Sequence, residues 1–286
     1  MSDTPRIEVT VAAPIETVWS VLRDPELIAR WHGWECDELA EEIRTIYLNG
    51  VTADPDTYTL ELSEGDRFTL HEVTGGVLVR ITRAPRDPES DWAAYYDDIN
   101  EGWWTFLQQL RFAAERHGMA ERHTMYLEGQ LLEPEPVVDL AGLGAAALRP
   151  AGTAYTATAP TGDALAGTVW ARGERQLVLT VDGWGDGLLV LAEQPVTPAP
   201  AQWRRDGAAH HLRAGCRRVR GADRALDRVV GEARRADPPV TVGQCPPPAL
   251  AAAAPSRRPP AGARTATRRE VVAAPASRCR RRAPRT

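Results

Sequence analysis

The sequence predicts an α+β protein in which an antiparallel meander of strands is covered by one long helix. Two observations carry this. Between residues 43 and 83, runs rich in β-branched and aromatic residues alternate with turn signals. From Asp91 to His117 the period becomes helical, and Tyr95, Ile99, Trp103, Phe106, Leu107 and Leu110 fall on one stripe.

Taken in order, Arg6-Ile7-Glu8-Val9-Thr10-Val11 places apolar residues at every second position, the period of a half-buried strand. Pro14 suits a first helical turn, and Ile15, Val18, Trp19 and Leu22 follow at helical spacing. Asp24-Pro25 interrupts that helix, because proline disfavours helical backbone in the residue before it, and Glu26 to Trp31 reads as a second short helix. Strands are then expected at Ile43 to Leu48, Thr57 to Leu62, Arg67 to Val73 and Val77 to Arg83. Asn49-Gly50, Glu64-Gly65-Asp66 and Gly75-Gly76 supply the turns. The helix from Asp91 closes the unit.

This order of elements resembles the SRPBCC, or START-like, superfamily, and within it the group similar to the C-terminal domain of the heat-shock-protein-90 ATPase activator. The resemblance runs from Ile7 to Gly118. It is carried by Val11-Ala12-Ala13-Pro14-Ile15-Glu16-Thr17-Val18-Trp19, by Asp24-Pro25-Glu26-Leu27 with Arg30-Trp31, and by Val79-Arg80-Ile81-Thr82. The run Glu101-Gly102-Trp103-Trp104-Thr105-Phe106-Leu107-Gln108-Gln109-Leu110 of the long helix completes it. It implies a helix-grip fold, an antiparallel sheet curled around a long C-terminal helix, and points to residues 1–118 as one domain.

After Gly118 the same order begins again. Thr124 to Glu128 reads as a strand and Val137 to Leu148 as a helix weakened by Gly142 and Gly144. Strand-like runs follow at Thr153 to Thr158, Ala164 to Ala171, Gln176 to Val181 and Gly187 to Glu193. Residues 119–203 are therefore expected to be a diverged, truncated second copy without its last strand and closing helix, its apolar sheet face left in water.

Residues 204–286 differ in kind. The net charge of the chain is −5, but residues 1–200 hold 14 arginines against 33 acids, whereas residues 201–286 hold 20 arginines against 6 acids. Lysine is absent throughout, as a GC-rich gene would produce. In residues 204–286 there is no Ile, Met, Phe, Tyr, Trp or Asn, and 74 of the 83 residues are of types that codons beginning with G or C can encode. That bias belongs to the third codon position, so the expectation is a basic, disordered tail translated out of frame after a one-base slip. The rival is a genuine arginine-rich tail that binds nucleic acid through phosphate charge, although it lacks the aromatic platforms that single strands stack on. Sequencing the gene across the codons for Pro195 to Trp203 decides between them.

Chemistry is sparse. No Ser/His/Asp or Cys/His constellation and no phosphate-cradling glycine loop is recognisable, so no catalytic residues, metal or cofactor are expected. His32, His71, His117 and His123 read as isolated surface or core residues. Cys36 reads as a structural cysteine, and the four cysteines are too scattered for a disulfide framework. Asp97, Asp98 and Glu101 read as a solvated helix face. With neither a spanning run of apolar residues nor a signal-peptide pattern, the chain is expected to be cytoplasmic and without a membrane partner.

Tryptophan is the telling residue, with eight of nine in the first 200 positions. The resemblance implies a non-enzymatic module that binds a small hydrophobic molecule between sheet and long helix. Leu60, Phe68, Leu70 and Val79 from the sheet and Ile99, Trp103, Phe106 and Leu110 from the helix are its candidate lining. The same residues serve equally well as plain core. The family name implies an alternative, a co-chaperone-like protein that stimulates a chaperone ATPase. A third reading, a polyketide cyclase-like enzyme, requires polar groups converging on the cavity.

Overall fold

The computed structural model describes residues 5–88, 93–128 and 136–193, with the strands Leu212–Arg217 and Thr241–Val242. These residues belong to one compact unit, Met1–Ala254. The architecture is α+β: antiparallel sheets and a long helix.

Strand β1 (Arg6–Val11) alternates exposed and buried residues as its sequence requires. Helix α1 (Ile15–Val21) starts after Pro14 and buries Val18, Trp19 and Val21. Helix α2 (Pro25–Ile28) is capped by Asp24, whose carboxylate accepts from the backbone N–H groups of Glu26 and Leu27. The next element departs from expectation. Residues Leu39–Tyr47 form helix α3, where the sequence reading places a strand at Ile43 to Leu48. Leu39, Ile43, Ile46 and Tyr47 lie at helical spacing, and burying that stripe outweighs the modest β-preference of isoleucine and tyrosine.

Strands β2 (Thr52–Asp54), β3 (Thr59–Glu61), β4 (Arg67–Val73) and β5 (Gly76–Thr82) follow. With β1 they form an antiparallel sheet in the order β1-β5-β4-β3-β2. Register sets Leu60 opposite Phe68 and Leu70 opposite Val79, so these four share one face. Arg83 and Asp66, both nearly buried and 2.8 Å apart, tie the β3–β4 turn to the end of β5. Arg83 also donates to Asn100 Oδ1 at 2.6 Å.

Helix α4 (Tyr96–His117) runs 22 residues after a short 3₁₀ turn at Ala93–Tyr95. Asp91 and Trp92, the expected start of this helix, lie outside the described residues. Gly118, at φ 53°, ends it in the left-handed conformation that glycine adopts without a Cβ penalty. The inner face of α4 presents Ile99, Trp103, Phe106, Leu107 and Leu110 to the first sheet in one apolar core. Sheet and helix thus meet as the resemblance to helix-grip proteins implies.

Beyond α4 lie β6 (Thr124–Met125) and β7 (Leu127–Glu128). The helix expected from Val137 to Leu148 is two short ones, α5 (Val137–Leu140) and α6 (Gly144–Ala147). Gly142 separates them at φ 72°, and a Cβ there would lie 2.5 Å from the Thr158 carbonyl oxygen. Strands β8 (Ala154–Thr158), β9 (Ala164–Arg172), β10 (Gln176–Val181) and β11 (Gly187–Glu193) complete the expected run.

Two further strands fall where a disordered tail is expected. Strand β12 (Leu212–Arg217) pairs with β11 and β6, and β13 (Thr241–Val242) pairs with β7. The second sheet has the order β6-β12-β11-β10-β9-β8, so the place left empty in the sequence reading is taken by β12. The remainder of 204–286 lies outside the described residues.

Nor does the second sheet leave an apolar face in water. Every residue of β10, and all of β11 except Glu193, is buried. One face packs with Val137, Leu143 and Ala146. On the other, Val178, Leu188 and Val190 meet Phe112 of α4, with Trp104 and Trp170 alongside. One long helix therefore serves two sheets, and polar contacts fix the second union. Gln176 donates to the Glu101 carbonyl at 2.8 Å and accepts from Thr105 Oγ1 at 2.5 Å, and Arg116 grips Asp186 through two bonds of 2.9 and 3.0 Å.

Candidate functional site

All eight residues expected to line a cavity are buried, and all belong to the apolar core between the first sheet and α4. Phe68 and Trp103 meet edge to face with ring centroids 5.5 Å apart, and Trp103 and Phe106 do so at 6.2 Å. Such edge-to-face pairs are the geometry that ring quadrupoles favour. The inward orientation of Trp103 and Phe106, on which the sheet-and-helix reading rests, is thus the observed one.

Three polar residues that the sequence reading does not bring together sit inside this aromatic cluster. His32 is fully buried, its ring centroid 4.8 Å from Phe106, 5.1 Å from Tyr47 and 5.7 Å from Trp103. Its Nδ1 lies 2.9 Å from the Tyr47 hydroxyl and its Nε2 3.4 Å from Glu42 Oε1. Glu42 reaches the surface, with its side chain 12% exposed. A carboxylate only accepts hydrogen bonds, so in the neutral imidazole Glu42 draws the proton to Nε2 and leaves Nδ1 to accept from Tyr47 O–H. Burial pushes the Tyr47 phenol well above its ordinary range, and the charges of Glu42 and Asp66 push it further, which keeps that proton in place.

Each partner is positioned by a local feature. Glu42 and Tyr47 come from the inward stripe of α3. His32 follows α2 in a loop held by Arg122, which donates to the carbonyl oxygens of Ala29 and Trp31 at 3.1 Å and of Gly33 at 3.0 Å. Arg122 also binds the His32 carbonyl and Gln109 Oε1. Thr124 adds a second stitch, its hydroxyl accepting from the Glu35 N–H at 2.6 Å and its N–H donating to Glu35 Oε2 at 3.0 Å.

Most polar groups here are paired. The Trp31 indole N–H donates to the Val21 carbonyl at 3.2 Å. Trp103 Nε1 is different: the side chain is 1% exposed, and among the described residues the indole nitrogen meets no acceptor. Trp19 Nε1 shares that condition near the rim, against Tyr58 and the Arg23 guanidinium.

The other candidates fall elsewhere. His71 is exposed beside Thr69, His123 pairs with Glu35, and His117 donates to the Asp186 carbonyl at 3.0 Å. Cys36 is disulfide-bonded, where the sequence reading expects an isolated structural cysteine. Glu101, read as solvated, accepts from Gln176 at the second sheet. Among the described residues no group of three His, Cys, Asp or Glu could hold a metal, and no helix is long and apolar enough to cross a membrane. Sequence reasoning missed Glu42 and Tyr47 because it read their segment as a strand. A helical count from Leu39 puts a carboxylate on an apolar stripe, which was the available signal.

No family model and no curated protein matches the chain. Solved structures similar to it include DynU16, from the dynemicin biosynthetic locus, at 16% identity and a TM-score of 0.31 over 80% of this chain and 92% of that one. The di-domain ARO/CYC StfQ of the steffimycin pathway is 12% identical with a TM-score of 0.30, over 80% of this chain and 94% of StfQ. The di-domain ARO/CYC BexL of the BE-7585A pathway is 12% identical with a TM-score of 0.32, over 78% of this chain and 87% of BexL. At such scores none of these likenesses assigns a ligand or a reaction to this chain.

Proposed function

We infer that the protein binds a small hydrophobic molecule bearing an oxygen acceptor, held between the first sheet and α4. The supporting observation is the Trp103 indole N–H, buried in an aromatic core without an acceptor among the described residues. An unpaired buried donor costs about 1–3 kcal/mol, and a ligand oxygen would recover that while its apolar body replaces ring-to-ring contact. Leu60, Phe68, Leu70, Val79, Ile99, Phe106 and Leu110 are the proposed apolar surroundings. Stimulation of a chaperone ATPase remains an implication of the family resemblance alone.

A thermal-shift panel of lipids and polyphenols on the full chain tests this. At a ligand concentration near 100 times Kd the melting temperature should rise by roughly 5–10 °C. Trp103→Phe keeps an aromatic ring but removes the donor, and should weaken a responding compound about tenfold. A panel without any response removes the reading.

A further inference from the structure

Resting on that reading, we propose that Tyr47, its proton committed to His32 by Glu42, is the second polar anchor of the same site, and that the site selects a hydroxyl, a phenol or enol, over a carbonyl or ether. With the imidazole neutral, Glu42 holds its one proton on Nε2, and Tyr47, 2.9 Å from Nδ1, donates its own proton there. What Tyr47 offers a ligand is therefore lone pairs alone. Trp103, whose ring centroid lies 6.4 Å from that of Tyr47 and 5.7 Å from that of His32, offers only a donor. A ligand oxygen bound by both groups must accept from Trp103 and donate to Tyr47. A hydroxyl does both, whereas a carbonyl or methyl ether supplies only the first and sets its lone pairs against those of Tyr47. The apolar rings of Trp31, Phe68 and Phe106 suit an aromatic or polyenic carrier of that hydroxyl.

The test pairs 2-naphthol with 2-methoxynaphthalene, titrated calorimetrically into the full chain. The wild type should bind the naphthol about tenfold more tightly. In Tyr47→Phe the two affinities should converge, a comparison in which the steric effect of the added methyl cancels. Glu42→Ala, a change nearer the surface that lets the imidazole take either tautomer, should narrow the preference too, and serves if the phenylalanine variant fails to fold. Both compounds binding the wild type equally, or a preference that survives in both variants, overturns the hydroxyl selection and leaves the binding reading standing. Failure of the naphthol to bind the wild type overturns the hydroxyl selection here, and a silent lipid and polyphenol panel then removes the broader reading as well.

Discussion

Arg122→Ala should destabilise the protein by about 3–5 kcal/mol and abolish hydroxyl preference together with ligand binding. The guanidinium donates to the carbonyl oxygens of Ala29, Trp31, His32 and Gly33 and to Gln109 Oε1. These acceptors converge on one point after α2 because Gly33, at φ 60°, turns the chain back toward α3. Without the arginine, four carbonyls lose their partner at once, each at a cost of about 1–3 kcal/mol where water cannot replace it. Arg122→Lys should recover little, since an ammonium has three donors and no planar fork with which to reach acceptors on several sides. The site fails with the clamp because Trp31 and His32 ride on the clamped segment. Chemical denaturation checks the stability and naphthol titration the site. A stability within about 1 kcal/mol of wild type would show that solvent satisfies these carbonyls unaided.

What the sequence discloses depends on whether a contact is local. Strands β1, β4 and β5 and the stripe of α4 follow from periodicity, since a period of two or of 3.6 tells each residue which side it faces. From the strands and that stripe together, four residues each, the eight core residues can be named without any geometry. Helix α3 was hidden because isoleucine and tyrosine favour strands in isolation, while its helical spacing spans only nine residues. With α3 misread, Glu42 and Tyr47 had no place beside His32, and His32 had no partner to mark it. Its contacts lie 10 and 15 residues away and exist only because α3 folds back onto the loop after α2. The second face of α4 was legible in principle. Trp104 and Phe112 stand off the main stripe, and a helix carrying apolar residues on more than one side has more than one neighbour.

Phe112→Ala should cost about 3–5 kcal/mol, the range for truncating a well-packed phenylalanine. Phe112 is 2% exposed, and its ring meets Trp170 edge to face at 5.4 Å within the cluster that joins α4 to β9, β10 and β11. Its removal opens a void between two rigid layers, where collapse would require α4 to leave the first sheet. The polar contacts beside it cannot compensate: Gln176 and Arg116 fix where the second sheet lies, but the apolar surface supplies the attraction. Since α4 is common to both sheets, the wild type should melt in one step. The variant should show an earlier step in which the β8–β11 layer separates and the segment after Gly118 becomes open to protease. Phe112→Leu, which refills most of the volume, should restore the single step. A Phe112→Ala protein that still melts in one step at the wild-type midpoint would mean that the polar contacts alone hold the second sheet to α4.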